Sequence, residues 1–332
     1  MMREWLSVLA CSAVGLALAS PEGVCQSQTS PVSGTVKVDG SSTVFPITEA
    51  VAEEFRKTAP QIKVTVGISG TGGGFKRFTV GEIDVADASR PIRPAEHEKA
   101  VQNRIEYIEL PVAFDGVSIV VHAKNTWIDS LTLDEIRRIF TDGSTVKRWN
   151  HVRPAWPDRP VRIYAPGTDS GTFDYFKEVV VGEKGAIRSD MSVSEDDNVL
   201  VRGVEGDENA IGFFGCAYYF ENRNRLRAVP IDGGSGPVAP THETIVDGSY
   251  APFSRPLFIY VNRRSADRPD VRTFVEFYLS QAAELSEEVG YVRLPEQVYE
   301  TARSVFAARK TGTHFLDDRG EKRHGRFVEL YR

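Results

Sequence analysis

The hydrophobic and polar positions in the first part of the chain alternate between two periods, which predicts an α/β fold. Residues 35–40 (TVKVDG) and 62–68 (IKVTVGI) show the period of two that is typical of strands. Between them, apolar residues recur at helical spacing over residues 47–55. Residues 70–89 then read as a glycine-rich turn, a short helix and another strand. This order is typical of a mostly parallel, doubly wound sheet.

The later part of the chain continues the mixture of strands and helices. The further predicted elements are strands at 112–122, 161–165 and 256–261, a helix at 132–140, a strand and turn at 209–220, and an amphipathic helix at 269–290. Thr132 is the predicted N-cap of its helix, and Glu135 completes a capping box. Residues 226–250, rich in Gly and Pro, are predicted to return the chain from one domain to another. A length of 332 residues also favours two domains.

Residues 1–26 are predicted to be an export signal and leader. Arg3 precedes the apolar residues 5–19, which have the length of a signal sequence and are too short to span a bilayer comfortably. The signal could be cleaved after the small residues at the end of this stretch or nearer Gln26. The residues around Cys11 match a lipidation motif only weakly, so no lipid anchor is predicted.

Charge and cysteine content limit the possible ligands. The net charge of −6, from 40 basic and 46 acidic residues, gives no support to broad nucleic-acid binding. An anionic ligand would therefore need a local positive site. No Cys/His spacing suggests zinc, and neither a metal nor a cofactor is predicted. Cys25 could leave with the signal, and Cys216, in an apolar run, is predicted to be a buried free thiol.

Three loops share one design, in which a strand ends, a cluster of Gly, Ser and Thr follows, and a helix begins. They are residues 39–47 (DGSSTVFPI), 69–78 (SGTGGGFKRF) and 167–176 (GTDSGTFDYF). Free N–H groups and the helix dipole make such a helix start an anion site. One such loop is equally well explained as a helix cap. Three of them, gathered at the carboxyl ends of strands, favour a ligand site.

Residues 84–94 (DVADASRPIRP) add a candidate cation. Arg90, just after a predicted strand, could bond a tetrahedral oxyanion in bidentate fashion, or could pair with a surface carboxylate. Enzyme motifs are weaker. The glycine-rich loop continues with Phe75 where a P-loop has Lys, and Ser170 does not lie in a nucleophile elbow. The six histidines adjoin no obvious nucleophile. A hydrolase is therefore poorly supported.

Six segments together resemble one known family. They are GSSTVFPI, GISGTGGGFKRF, ADASRPI, GTDSGTFDYF, EDDNVLVRGVEGDENAIGFFGCAYY and SRPLFIYV, and they span roughly residues 36–290. The chain resembles the periplasmic phosphate-binding protein of the Pst-type phosphate ABC transporter, the PstS family. The resemblance implies a type II periplasmic-binding-protein fold, with two doubly wound α/β lobes joined by crossing hinge strands. The implied limits are 33–112 plus 231–332 for lobe 1 and 113–230 for lobe 2.

The resemblance also implies which residues bind phosphate. Carried over by position, the ligands are Ser42, Thr43, the backbone N–H of Val44, Thr71 and Gly72 from lobe 1, and Ser170, Gly171 and Thr172 from lobe 2, with Ser41 as a further candidate. Such a receptor is not an enzyme. It acts in the periplasm and delivers phosphate to the membrane permease subunits of the transporter. We expect a monomer.

Two departures from the family pattern leave a question open. In the best-known branch, an Asp stands at the position of Arg90 and accepts the phosphate proton. That branch also has an Arg shortly before its SGT sequence, where this chain has residues 166–168 (PGT). We therefore predict that Arg90 neutralises the charge of phosphate. The proton acceptor is unassigned. Its candidates are Asp169, Asp196 and Asp197, with Asp87 less favoured, and each could instead be a helix cap or a solvated carboxylate.

Other functions remain open from the sequence. A receptor for a different oxyanion or a phosphate-sensing module would share this fold, and an enzyme acting on phosphoesters is a less favoured alternative. The tail, residues 311–332, could pack on a lobe or touch a partner.

Overall fold

The computed structural model describes residues 32–168, 170–182, 184–194, 196–323 and 325–331. The predicted export signal, Cys11, Cys25 and Asp169 lie outside the described residues.

The described residues form twelve strands and eleven α-helices. The strands are β1 (Gly34–Gly40), β2 (Ile62–Ile68), β3 (Val85–Ala88), β4 (Tyr107–His122), β5 (Leu131–Thr132), β6 (Arg162–Pro166), β7 (Ser192–Ser194), β8 (Ala210–Gly215), β9 (Leu226–Ala228), β10 (Ile231–Asp232), β11 (Pro237–Val238) and β12 (Ser254–Asn262). The helices are α1 (Phe45–Thr58), α2 (Gly70–Phe78), α3 (Pro94–Gln102), α4 (Leu133–Phe140), α5 (Gly171–Val181), α6 (Asp197–Glu205), α7 (Cys216–Glu221), α8 (His242–Val246), α9 (Pro269–Glu288), α10 (Glu296–Ala307) and α11 (Phe327–Leu330). Two short 3-10 helices, Trp149–His151 and Ser265–Asp267, lie in connections.

One long sheet passes through both halves of the molecule, in the order β2-β1-β3-β12-β4-β8-β6-β7, with β9 also paired to β4. Strands β2, β1 and β3 are parallel, and so are β8, β6 and β7. The four central pairings, β3 with β12, β12 with β4, and β4 with β8 and β9, are antiparallel. Each half therefore has a parallel set of strands, as the alternation of elements predicted.

Strand β4 joins the two halves. Its first part pairs with β12 as far as the Gly116–Ser254 pair, and its second part, from Val117 to Val121, pairs with β8. Residues 107–121 of this strand are all buried. We name β2, β1, β3, β12 and the first part of β4 the first half-sheet, and the second part of β4 with β8, β6, β7 and β9 the second half-sheet. The predicted lobe limits stay a prediction, although β10 pairs with β5 and so lies beside residues of the predicted lobe 2.

Many predicted elements are confirmed. Strand β2 has the predicted limits, and Thr132 caps α4 in a capping box with Glu135. Cys216 is a buried free thiol, and burial raises its pKa. Within the described residues, no helix has both the length and the apolar character needed to cross a bilayer.

Two local predictions are wrong. Strand β8 is followed by the helix α7 where a turn was predicted, and the glycine-rich residues 70–74 belong to α2 where a turn was also predicted. The second difference has a steric reason. A Cβ at Gly74 would lie 2.7 Å from the Cα of Gly40, so the glycine lets α2 pack directly on the end of β1.

The C-terminal tail packs on the first half-sheet. The buried Glu109 on β4 accepts hydrogen bonds from the Thr313 hydroxyl (2.6 Å), the His314 backbone N–H (2.9 Å) and the Tyr260 hydroxyl (2.8 Å). The Tyr331 hydroxyl donates to the Glu109 carbonyl at 3.1 Å. The tail thus supplies most of the donors that this buried carboxylate requires. Of the two roles that the sequence left open, packing on the fold is observed.

A second buried carboxyl lies beneath the start of α1. Asp87 on β3 is 1% exposed, and its carbonyl accepts a hydrogen bond from the Ser41 N–H at 2.9 Å. Among the described residues, neither oxygen of its carboxyl group has a hydrogen-bond partner of normal geometry, although the Thr48 side chain opposes the rise of the pKa of Asp87. Burial raises the pKa of Asp87 to about 8, and the neighbouring Asp39 carboxylate adds to the shift. Asp87 is therefore protonated at neutral pH.

We predict that Asp87→Asn stabilises the protein increasingly as the pH rises. In the unfolded chain the carboxyl ionises near pH 4, whereas in the folded protein it holds its proton to about pH 8. Stability is thus lost as the pH rises through this window. Compared with wild type, the variant should gain up to about 1.4 kcal/mol per pH unit between these values and level off above them.

Denaturant unfolding of both proteins from pH 4 to 9 measures this gain, with the exposed Asp318→Asn as the matched control. A gain that does not depend on pH would contradict the raised pKa.

Candidate functional site

The three predicted anion loops all lie at the carboxyl ends of parallel strands. Helix α1 follows β1, α2 follows β2, and α5 follows β6. The first two helices start at the edge of the first half-sheet, and α5 starts at the edge of the second. In α/β sheets this edge is where ligands bind, since the helix starts point their N–H groups toward it.

The loop before α1 holds its amides with a serine. The buried Ser41 hydroxyl oxygen accepts hydrogen bonds from the N–H of Thr43 (3.1 Å) and, at a longer 3.4 Å, from that of Val44. The Tyr291 hydroxyl donates to the Thr43 carbonyl at 2.7 Å. Thr43 is thereby fixed at the start of the helix, while Val44 is fully buried beneath it.

The loop before α2 is tied to the neighbouring strand. The Thr71 hydroxyl lies 3.0 Å from the Ser89 hydroxyl and accepts a hydrogen bond from the Ser89 N–H at 3.1 Å. Ser89 follows β3 directly and precedes Arg90. The predicted ligands Thr71 and Gly72 are thus held against the segment that carries the predicted cation.

The loop before α5 meets the loop before α1. Ser170 caps α5, because its hydroxyl oxygen accepts a hydrogen bond from the Thr172 N–H at 3.2 Å. A Cβ added at Gly171 would lie 2.8 Å from the Cα of Thr43 and 3.0 Å from its hydroxyl oxygen. The loops that follow β1 and β6 therefore touch at this point, and a side chain at position 171 would prevent so close an approach.

Two cavities lie around the contact between Gly171 and Thr43. The first, of about 520 Å³, we name the arginine cavity; its walls include Ser41, Ser42, Thr43, Thr71, Gly72, Ser89, Arg90, Arg93, Tyr175, Glu178 and Arg255. The second, of about 590 Å³, we name the aspartate cavity; its walls include Ser42, Asp115, Thr168, Ser170, Gly171, Thr172, Asp174, Asp197, Tyr218 and Tyr291. The predicted ligands are divided between these cavities: Thr43, Thr71 and Gly72 line the arginine cavity, Ser170, Gly171 and Thr172 line the aspartate cavity, and Ser42 lines both.

Comparisons with known proteins agree with this geometry. The profile of the PBP superfamily domain matches residues 26–282. Protein SphX of Synechococcus elongatus is 51% identical over 283 residues, covering 84% of this chain and 83% of that protein. The phosphate-binding protein PstS of Staphylococcus saprophyticus is 38% identical over 307 residues, covering 91% of this chain and 94% of PstS. The chain belongs to the PstS family of phosphate-binding proteins.

A solved structure extends the likeness of this PstS-family chain to three dimensions. The crystal structure of a possible phosphate binding protein from Planctomyces limnophilus has a TM-score of 0.81 and 45% identity, and the match covers 84% of this chain and 99% of that one. The predicted type II periplasmic-binding-protein fold is confirmed.

Arg90 reaches the cleft of this family member, but its charge already has a partner. Its guanidinium forms a bidentate ion pair with Glu96, with N–O distances of 2.9 and 2.8 Å. It also lies 5.6 Å from the centre of the Phe75 ring. Of the two alternatives given by the sequence, pairing with a carboxylate is observed, and the role of Arg90 toward phosphate stays a prediction.

The candidate proton acceptors differ in their positions. Asp196 is exposed and caps α6, accepting a hydrogen bond from the Asn198 N–H at 2.9 Å. Asp197 lies on the wall of the aspartate cavity. Asp87 is a buried, protonated group outside both cavity walls. Among these three described candidates, only Asp197 borders the cleft.

Sequence reasoning missed a second arginine of the cleft, Arg255, and its partner Asp115. The Arg255 guanidinium donates two hydrogen bonds to one oxygen of Asp115, at 3.2 and 3.1 Å, and one to the Thr43 hydroxyl oxygen, at 2.9 Å. Burial raises the pKa of Asp115, and the charge of Arg255 opposes this shift. The available signals were a charged residue inside the apolar strand at 112–122 and the Arg of SRPLFIYV.

We predict that Gly171→Ala holds the two half-sheets apart. The added methyl group would overlap the Thr43 backbone, which cannot move aside as a flexible side chain does. The distance between spin labels on α2 and α5, measured by pulsed electron resonance, should increase by about 2 Å or more.

Gly72→Ala is the matched control, because a Cβ there meets nothing within 4 Å. Equal label distances in both variants and wild type would show that the contact does not limit closure.

Proposed function

We propose that this protein is an exported receptor that binds inorganic phosphate between its two lobes and delivers it to a phosphate ABC transporter. One observation carries the proposal. In a chain of the PstS family, three helix starts rich in Ser and Thr converge on the contact between Thr43 and Gly171. Such a site binds a tetrahedral anion through many N–H and O–H donors, with little net charge.

The proposed ligands are the residues predicted from the sequence. Lobe 1 supplies donors from Thr71, Gly72 and the loop of Ser41, Ser42, Thr43 and Val44. Lobe 2 supplies donors from Ser170, Gly171 and Thr172. An anion that bonds to both sets is bound more tightly when the lobes are together, so the ligand itself favours closure. Arg90 is proposed to neutralise the charge of phosphate. Asp197 is the proposed acceptor of the phosphate proton.

The setting and partners are proposed on the same grounds. The signal predicted at residues 1–26 supports export to the periplasm, and transporters that use such receptors supply the permease partner. We propose a monomeric receptor without enzymatic activity. Among the described residues, no group of three or more His, Cys, Asp and Glu side chains is arranged to hold a metal ion.

We predict that isothermal titration calorimetry shows one phosphate bound per chain, with a Kd in the micromolar range or tighter (about −8 kcal/mol or more). Competition with sulfate, arsenate and molybdate decides the selectivity. Tighter binding of sulfate or molybdate than of phosphate would show a receptor for another oxyanion. Turnover of a chromogenic phosphoester by the pure protein would instead show an enzyme.

We predict that Thr172→Val weakens phosphate binding about tenfold or more, because it removes a hydroxyl donor to a charged ligand without changing the side-chain shape. Thr168→Val is the matched control, since Thr168 lines the same cavity but precedes the helix start. It should change the Kd by less than about threefold. The opposite order of the two variants would mean that the α5 loop has been placed wrongly.

A further inference from the structure

Arg255 occupies the point at which the two half-sheets separate. It lies on β12 directly opposite Asp115 on β4, one residue from the Gly116–Ser254 pair where β12 leaves β4. The Asp115 side chain is 3% exposed and that of Arg255 is 13% exposed. This ion pair is therefore poorly screened by water, in contrast to the many exposed pairs elsewhere on the surface.

The guanidinium of Arg255 contacts groups from both halves. On the side of the first half-sheet, its Nη2 donates to the hydroxyl oxygen of Thr43. On the side of the second, its centre lies 3.6 Å from the centre of the Tyr175 ring on α5. The Tyr175 hydroxyl donates to the Pro252 carbonyl at 2.6 Å, which fixes the ring. One side chain thus touches the proposed ligand Thr43 and the helix that begins at Gly171.

Arg255 also retains donor capacity. Its Nε and Nη2 make all of its hydrogen bonds to described residues, and its Nη1 has only the Glu178 carboxylate nearby, at 3.8 Å. The Thr43 hydroxyl oxygen accepts from Nη2, so the hydroxyl proton points elsewhere and is available to a ligand. Nη1 and this proton are two donors on the wall of the cleft.

We propose that Arg255, in addition to Arg90, is the cationic group that binds the anion, and that it couples anion binding to closure of the two lobes. Its Nη1 donates to the anion, and its Nη2 orients the Thr43 hydroxyl toward it. Closure brings Tyr175 over the guanidinium and excludes water from that face, which strengthens the attraction of the cation for the anion. The inference rests on the proposed phosphate function.

The decisive experiment compares two arginine variants by phosphate calorimetry. Arg255→Met should weaken phosphate binding by about a hundredfold or more, because it removes a poorly screened cation and the orientation of Thr43. Arg90→Met is the comparison and should cost less, about tenfold or below, since both Nη groups of Arg90 already donate to Glu96, whereas Nη1 of Arg255 makes no hydrogen bond to a described residue. Arg255→Lys should recover part of the loss, because it restores the charge without the fork geometry.

The effect should also pass through Thr43. In a double-mutant cycle, Thr43→Val should weaken binding much less in the Arg255→Met background than in wild type. A purely structural role of Arg255 would leave the two losses additive. Because Arg255→Met strands the buried Asp115 carboxylate, the cycle is repeated with Arg255→Met/Asp115→Asn, whose folding is checked by thermal melting.

The failure of the inference and that of the proposed function give different results. If wild type binds phosphate but Arg255→Met/Asp115→Asn binds within about threefold of it, or Arg90→Met loses more affinity, the inference is overturned. If wild type prefers sulfate or molybdate, the ligand proposal is wrong, and the order of the arginine variants with that anion supports or overturns the role of Arg255.

Coupling to closure is tested at Tyr175. Tyr175→Leu removes the aromatic face and should weaken phosphate binding about fivefold or more, with a smaller phosphate-induced change in the label distance between α2 and α5. Tyr175→Phe keeps the aromatic face but loses the hydroxyl bond to Pro252, and should weaken phosphate binding less than Tyr175→Leu does. Equal phosphate affinities and label distances in the two variants would overturn the coupling.

Discussion

The cleft depends on one shared strand. β4 is buried along almost its whole length and is hydrogen-bonded to β12 in the first half-sheet and to β8 and β9 in the second. A slip of one residue would separate the buried carboxyl groups of Glu109 and Asp115 from their hydrogen-bond donors, so its register is fixed. Because the register is fixed, the carboxyl ends of the two parallel sets of strands face each other. The loops before α1 and α5 can meet only because β4 sets this geometry.

The same constraint explains the position of the ion pair between Asp115 and Arg255. Residues of the first half-sheet are held by β12, and those of the second by β8, so relative motion of the halves concentrates where one pairing ends and the other begins. The ion pair lies at that boundary and stays within one strand pairing when the halves move. Thr43 and Tyr175, by contrast, belong to different sides. In the proposed closure, therefore, the contact with Tyr175 would change, whereas the cation keeps Asp115 and Thr43, which lie on its own side.

Local sequence signals were sufficient where local interactions determine structure. The period of two predicted β2 with its observed limits, and the Thr132–Glu135 capping box marked the start of α4, because both patterns arise within a few residues. The family resemblance pointed to Thr43, Thr71 and Gly171, which line two neighbouring cavities. The helix α7 was missed because its aromatic residues have modest helix propensity, and packing against β4 and α6 determines its conformation.

Arg255 could not be found in this way. Its partners Asp115 and Thr43 lie 140 and 212 residues away in sequence, so only the folded chain shows that they meet. The position of Gly74 against Gly40 is likewise a tertiary contact, and it places the glycine run inside α2. The pairing of Arg90 with Glu96 also depends on the start of α3. Electrostatic roles were therefore harder to predict than secondary structure, since each charge acts through its neighbours.

The docking of the tail on Glu109 has a consequence for the order in which the chain can fold. The Thr313 hydroxyl that bonds to the Glu109 carboxylate comes 204 residues later, and β12, which completes the first half-sheet, comes almost as late. A nascent chain emerging from its N-terminus would hold β4 with a buried acid and an open edge until nearly all of it had been made. The first half-sheet, although it contains the earliest strands, is completed last. Completion of the first half-sheet is then delayed until nearly the whole chain is present, an order that fits the export proposed for this protein.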